Sequence, residues 1–284
     1  NISEDIVDAM GYPYWKGSHL SNDPELLRAD LNRYYDLYGK ESDYLEMIEV
    51  LADFIVKELD ENHTYSTREF LELLGHWLYK KKIYSIGAMA AHHNVPVFCP
   101  AIVDSPYGDA ALVAQTKGFN LKLDQMKDFN EFMSLGTKVK DVGVVYIGGG
   151  VPKDYIQLLA VSSPLQFEDR QLPGRKGMVH RSTNEGYYPH KYAIQITTDS
   201  PQWGSLSGCT LDEAVSWGKI NEVEGTHLTV YCDATIAIPL VTHSLGERTG
   251  WVKRKGVDFS GVFSSEKKKV IAPAMTSKRK VHAV

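Results

Sequence analysis

From about residue 95 to residue 232 the chain alternates short apolar runs with helical segments, and nearly every run stops at a glycine or an aspartate. The runs are 95–99, 120–123, 142–147, 192–198 and 228–232. Helix-like stretches follow at 124–135 and 153–160. This order predicts an α/β protein: a Rossmann-like, largely parallel sheet flanked by helices. Ligands of such sheets sit beyond the carboxyl ends of the strands. Asp104, the turn Gly148, Gly149 and Gly150, the pair Thr198 and Asp199, and the pair Asp233 and Ala234 all follow apolar runs, so they are expected to meet in one cleft.

Ahead of this region the chain reads as helix. Residues 2–10 open helically, and Leu26, Leu27, Leu31, Tyr34, Tyr35 and Tyr38 recur at helical spacing within a predicted helical stretch over 24–60. Ser66 and Glu69 have the spacing of a capping box before a helix over 70–80. Residues 162–191 read as an inserted loop rich in proline, glycine and charge. Residues 246–284 differ again. They carry ten lysines and arginines against three acids, a net +7, whereas the 284-residue chain carries −5. This segment is read as a basic C-terminal extension, either a solvated tail or an arm for an acidic partner, beside an α/β domain over 1–245.

The overall acidic balance argues against a general nucleic-acid binder. No apolar run reaches the roughly 20 residues that span a bilayer, and no signal peptide is visible. Three widely spaced cysteines, Cys99, Cys209 and Cys232, form neither a metal pair nor a disulfide framework. A cytoplasmic protein is therefore expected. The histidines, His92 and His93 included, lack the spacing of a metal site, so no metal is expected.

Two segments carry chemistry. The triple glycine at 148–150, between a strand and a helix, allows close backbone approach to a phosphate; a structural tight turn fits it equally well. The second is DEAVSWGK at 212–219, read as one helical stretch in which Glu213 and Trp217 share a face. A lysine beside a tryptophan is readily desolvated, and a neutral amine can form a Schiff base. The alternative is a surface lysine at a helix end.

AVSWGKI at 214–220 resembles the signature around the active-site lysine of the deoxyhypusine synthase family. SEDI at 3–6, VPVF at 95–98, DSPYGD at 104–109, IGGGV at 147–151 and YCDA at 231–234 fall in that family's order, so the resemblance covers roughly residues 1–245. It implies NAD as cofactor and spermidine as donor of an aminobutyl group. The group is held as an imine on an enzyme lysine and passed to a lysine of the translation factor 5A precursor. Carried over, Lys219 is the imine-forming lysine, and Trp217 packs the polyamine methylenes. Glu213 and Asp109 hold its ammonium groups, with Glu4 near the same place. Asp104, Gly148, Gly149, Thr198, Asp199, Asp233 and Ala234 line the NAD site, and Ser207 lies near the nicotinamide. The family forms homotetramers with sites at a dimer interface, which sets the expected assembly.

The chain departs from the family at several places. Asp154 stands where the family usually has a catalytic histidine, and is read as a base or an ammonium ligand. The stretch Trp203, Gly204, Ser205, Leu206, Ser207 lacks the family's acid. These two changes keep a second reading open, homospermidine synthase-like transfer to putrescine or another small amine. The loop containing Tyr187, Tyr188 and His190 is similar to that of prokaryotic deoxyhypusine synthase-like proteins, and His190 is read either as a substitute for the missing histidine or as a surface residue. The sequence opens at Asn1, without the family's N-terminal segment. That leads to the expectation of a trimmed chain, of a separate chain supplying the segment, or of a non-catalytic regulatory subunit.

Overall fold

A computed structural model describes residues 3–136, 141–163, 189–222, 226–257, 259, 262 and 263. The first lobe is built on α1 (Glu4–Ala9), α3 (Glu41–Glu58), α4 (Thr67–Lys80), α5 (Ile86–His92) and α6 (Pro106–Thr116). Its core is continuous: Ile6, Met47, Leu51, Phe54, Ile55, Phe70, Leu74, Leu78 and Ile102 are almost completely buried. Ser66 caps α4 as expected, accepting from the Glu69 amide while the Glu69 side chain returns to the Ser66 amide.

The long helix expected over 24–60 is interrupted. After the short α2 (Asp23–Arg28) the chain forms β2 (Leu31–Tyr34) and β3 (Leu37–Lys40), which pair antiparallel with β1 (Trp15–Lys16) in the order β1-β3-β2. Asp30 and Tyr35 adopt left-handed φ of 60° and 57°, and these two reversals defeat the helical spacing of Leu31, Tyr34 and Tyr38. Two expected strands are also absent. At 95–99, Pro96 cannot donate to a ladder, and the Cys99 amide instead donates to the Thr67 hydroxyl at 2.9 Å. The run 120–123 makes a single bridge, Leu123 to Tyr65. Asp104 therefore follows a turn rather than a strand.

Helix α7 (Gln125–Gly136) joins the first lobe to the rest. The buried Asp128 carboxylate accepts from the Arg68 amide in the first turn of α4, and Glu131 accepts from Arg68 Nε and Ser66 Oγ, each at 2.7 Å. On its other side α7 packs against α8 (Val151–Ser162), with Phe132 stacked on Tyr155. Burial, more than its hydrogen bonds can offset, raises the pKa of Asp128.

The expected parallel sheet lies beyond α8. It consists of β4 (Gly143–Ile147), β5 (Tyr192–Thr197) and β6 (His227–Tyr231), in that order, with Val145 opposite Ile194 and Ile194 opposite Leu228. One face, carrying Val144, Tyr146 and Ala193, is covered by α8 and by Leu211 and Ala214 of α9 (Leu211–Ser216). On the other face Val145, Ile194 and Leu228 are about half exposed. Helix α10 (Ala234–Glu247), apolar by sequence, buries none of its residues, and α11 (Thr249–Val252) follows it. Among the described residues no helix is long and apolar enough to cross a membrane. Positions 164–188 of the expected inserted loop, Tyr187 and Tyr188 included, and most of 258–284 lie outside the described residues.

Candidate active site

Parallel pairing brings three strand ends together. Gly148 donates to the Ile196 carbonyl at 2.8 Å, and Cys232 donates to the Thr197 carbonyl at 3.1 Å. The triple glycine, Thr198 with Asp199, and Asp233 with Ala234 thus share one edge, as expected, without Asp104. Gly148 and Gly150 hold φ of 72° and 87°, and a Cβ on either would meet nothing within 4 Å. Gly149 faces inward: its Cβ would lie 2.3 Å from Ser207 Cα. Only a glycine lets the turn and the Ser207 loop touch in this way. Asp199 accepts from the Ser205 and Ser207 hydroxyls and the Ser200 amide, and these bonds hold its pKa below the usual carboxylate range. Asp233 caps α10 through the Thr235 amide and hydroxyl, with the same consequence for its pKa.

Beside this edge stands Lys219. Helix α9 begins at the Thr210 cap and stops at Ser216, so Lys219 lies outside the helix that the sequence suggested. Trp217 is the C-cap, and Gly218, at φ 73°, turns the chain back toward β5. The Lys219 amide donates to the Ala214 carbonyl, and its carbonyl accepts from the His190 amide, each at 3.0 Å. Lys219 Nζ is 2.5 Å from Asp154 Oδ1, across the first turn of α8, and 5.5 Å from the centre of the Trp217 ring. The lysine side chain is 12% exposed and the aspartate 40%, while Trp217 is 64% exposed. The nucleophile candidate is therefore held between a carboxylate and an aromatic face, at the mouth of the site. Besides the expected tryptophan, the amine thus has a carboxylate, Asp154, as a neighbour.

Glu213, in the first turn of α9, is exposed. Glu4, Asp104 and Asp109 belong to the first lobe, on α1 and around the start of α6. The carboxylates of Asp104 and Asp109 are exposed and, among the described residues, form no ion pair. His190 is not a surface residue: it is fully buried, with Nδ1 3.4 Å from the Tyr146 hydroxyl, and burial lowers its pKa to about 4.

Sequence reading missed Lys153 and Gln195. Lys153 is 4% exposed and Gln195 1%. They meet between α8 and the sheet at 3.1 Å, and Lys153 also reaches the carbonyls of Leu206 and Cys209. The available signal was the strand alternation, which turns Gln195 inward between the inward positions Ala193 and Thr197. Among the described residues no cluster of three or more metal-ligating side chains occurs.

Residues 1–245 match the family described as deoxyhypusine synthase. The chain belongs to the deoxyhypusine synthase family. This is a family of transferases. It is 41% identical over 262 residues to "probable deoxyhypusine synthase 2" of Methanosarcina mazei, covering 92% of this chain and 70% of that protein. It is 38% identical over 245 residues to the protein of the same description from Archaeoglobus fulgidus, covering 86% and 74%. The "deoxyhypusine synthase-like protein" of Elusimicrobium minutum is 32% identical over 274 residues, covering 95% and 68%. The fold is similar to a crystal structure of a candidate deoxyhypusine synthase from Entamoeba histolytica, with a TM-score of 0.50 at 16% identity. That match covers 85% of this chain and 61% of the crystallised chain.

Proposed function

We propose that this chain works as a deoxyhypusine synthase: an NAD-dependent transferase that moves the aminobutyl group of spermidine through Lys219 to a lysine of the translation factor 5A precursor. The observation that carries the proposal is the pairing of Lys219 Nζ with Asp154 at 2.5 Å under the Trp217 ring, within the family's signature segment. An amine attacks only when neutral. Asp154 is within proton-transfer distance of Nζ and is the base that accepts its proton. Trp217 supplies a wall for the methylenes of a polyamine, and Glu213, Asp109 and Glu4 supply carboxylates for its ammonium groups.

NAD fits the donor set at the strand ends. The open backbone of Gly148 and Gly150 faces the first turn of α8, and no side chain caps that helix. The amides of Gly149, Gly150 and Val151 suit a diphosphate, since Pro152 has no N–H and the Lys153 and Asp154 amides donate to the Gly150 carbonyl. Asp199 and Asp233 suit ribose hydroxyls, with Thr198, Ala234, Gly149 and Ser207 around them and Asp104 contributed by the first lobe. When bound, NAD takes up and returns hydride.

The assembly belongs to the same proposal. Parallel sheets are normally covered on both faces, whereas Val145, Ile194 and Leu228, and on α10 Ile236, Leu240 and Val241, are open to solvent. A homotetramer would cover such surfaces and bring Asp109 of one copy toward Lys219 of another. The small-amine reading is favoured by one observation: Trp203 is 72% and Leu206 44% exposed beside Ser207, where the family carries an acid.

The deciding experiment gives the protein NAD and labelled spermidine with either the factor 5A precursor or putrescine. Label on the precursor protein supports the proposal. Label on putrescine alone replaces it with the small-amine reading, and label on neither, with NAD bound, defeats both.

A further inference from the structure

Lys153 is a cation inside a core where an apolar side chain would cost far less to bury. It is 4% exposed, and among the described residues no carboxylate lies within ion-pair distance of it. Its three protons have three acceptors: Gln195 Oε1 at 3.1 Å, the Leu206 carbonyl at 3.0 Å and the Cys209 carbonyl at 2.7 Å. Gln195 extends the set, its amide donating to the Gly148 carbonyl at 3.0 Å and the Ser207 carbonyl at 2.9 Å. One ammonium and one amide thus join α8, β5, the glycine turn after β4 and the loop at 204–209. The loop leads directly into the Thr210 cap of α9, the helix that carries Glu213.

We propose that Lys153 is a positioning residue that fixes the 204–209 loop against the glycine turn, so that Ser207 and Gly149 stand in register for the cofactor. The cofactor clause rests on the functional reading above; the loop clause does not. A side chain serving only to fill the core would not need to satisfy two consecutive-turn carbonyls of a surface loop. Those carbonyls lie on Leu206, which is 44% exposed, and on Cys209, which is partly exposed, so water could have served them had the loop been left to itself. Lysine has the reach and the three rotatable donors for this junction, where arginine's planar fork does not match three acceptors around a point.

The variant Lys153→Met keeps the length and removes the ammonium. Two readouts follow the loop without requiring activity: alkylation of Cys209 in the folded protein, and hydrogen exchange of the amides at 204–210 with α3 as internal reference. Both should rise by roughly tenfold or more in the variant while α3 keeps its protection. With NAD, the dissociation constant should rise by roughly tenfold or more, whereas the yield of Lys219 adduct at saturating NAD should stay within about twofold. That split separates positioning from general loss of stability.

Loop exchange and Cys209 labelling at wild-type levels would overturn the proposal. So would a loosened loop with unchanged NAD affinity. If the wild-type protein binds no NAD at all, the cofactor assignment falls with the functional reading, and the loop readouts alone decide the positioning role. Should Lys153→Met fail to fold, Gln195→Glu serves instead: it preserves an acceptor for Lys153 and removes the donors to Gly148 and Ser207, and the same readouts should shift in the same direction.

Discussion

Acid should weaken this fold through His190. His190 is fully buried, its backbone amide donates to the Lys219 carbonyl and its own carbonyl accepts from Asn221. Its Nε2 has no hydrogen-bond partner among the described residues, so a charged imidazole would be neither hydrated nor paired. Burial lowers the pKa from 6.5 to about 4. A histidine with a depressed folded pKa is neutral in the native state and takes up a proton on unfolding, so stability falls as pH drops from 6.5 toward 4. Between pH 7.5 and pH 5 the loss is about 2 kcal/mol, equivalent to about 5 °C in Tm for a chain of this size. The assay is urea unfolding followed by tryptophan fluorescence over that pH range, for wild type and His190→Gln. Glutamine is neutral and can still bond the Tyr146 hydroxyl. The carboxylates held low, such as Asp199 and Glu69, lose their stabilising effect only at lower pH and do so in both proteins. The variant should lose about 2 kcal/mol less than wild type across the window. Equal losses would refute the reasoning.

Four further outcomes follow. Asp154→Asn should slow formation of the Lys219 adduct by about 10²–10⁴-fold while costing less than about 1 kcal/mol of stability, because the pair is partly exposed; stopped-time trapping and thermal melts measure the two. Gly149→Ala places a methyl 2.3 Å from Ser207 Cα, so the loop must move, and NAD titration should show weakened binding with little change in the far-UV spectrum. Ser66→Ala removes the α4 cap and a donor to Glu131, and denaturant melts should show a loss of about 1–2 kcal/mol. Trp217→Ala should raise the spermidine concentration needed for half-maximal adduct, since the exposed ring carries contact with the substrate rather than the core.

The parallel sheet and the clustering of its strand ends were legible because buried strands read as short apolar runs and their ends as glycine and aspartate. The hairpin at 31–40 was not, because two ordinary residues, Asp30 and Tyr35, take left-handed φ that no propensity announces. The strand expected at 95–99 failed on Pro96, whose missing donor outweighs the apolar pattern. At the site, the segment around Lys219 was found from its residues, but its geometry was not: a helix over 212–219 places the lysine on α9, whereas Gly218 ends the helical path and aims the lysine at Asp154 on another element. That contact spans 65 positions in the chain, beyond the reach of any local pattern. The buried pair Lys153 and Gln195 was hidden for the same reason, since a polar residue at an inward position declares its partner only after the elements pack.

The most direct test of the account is covalent. The protein is incubated with NAD and spermidine, treated with borohydride and weighed intact. A gain of one aminobutyl group, mapped to Lys219 and absent from Lys219→Ala, is the predicted result. An adduct on another lysine, or none while NAD is bound, would contradict the assignment of Lys219 as the residue that carries the group.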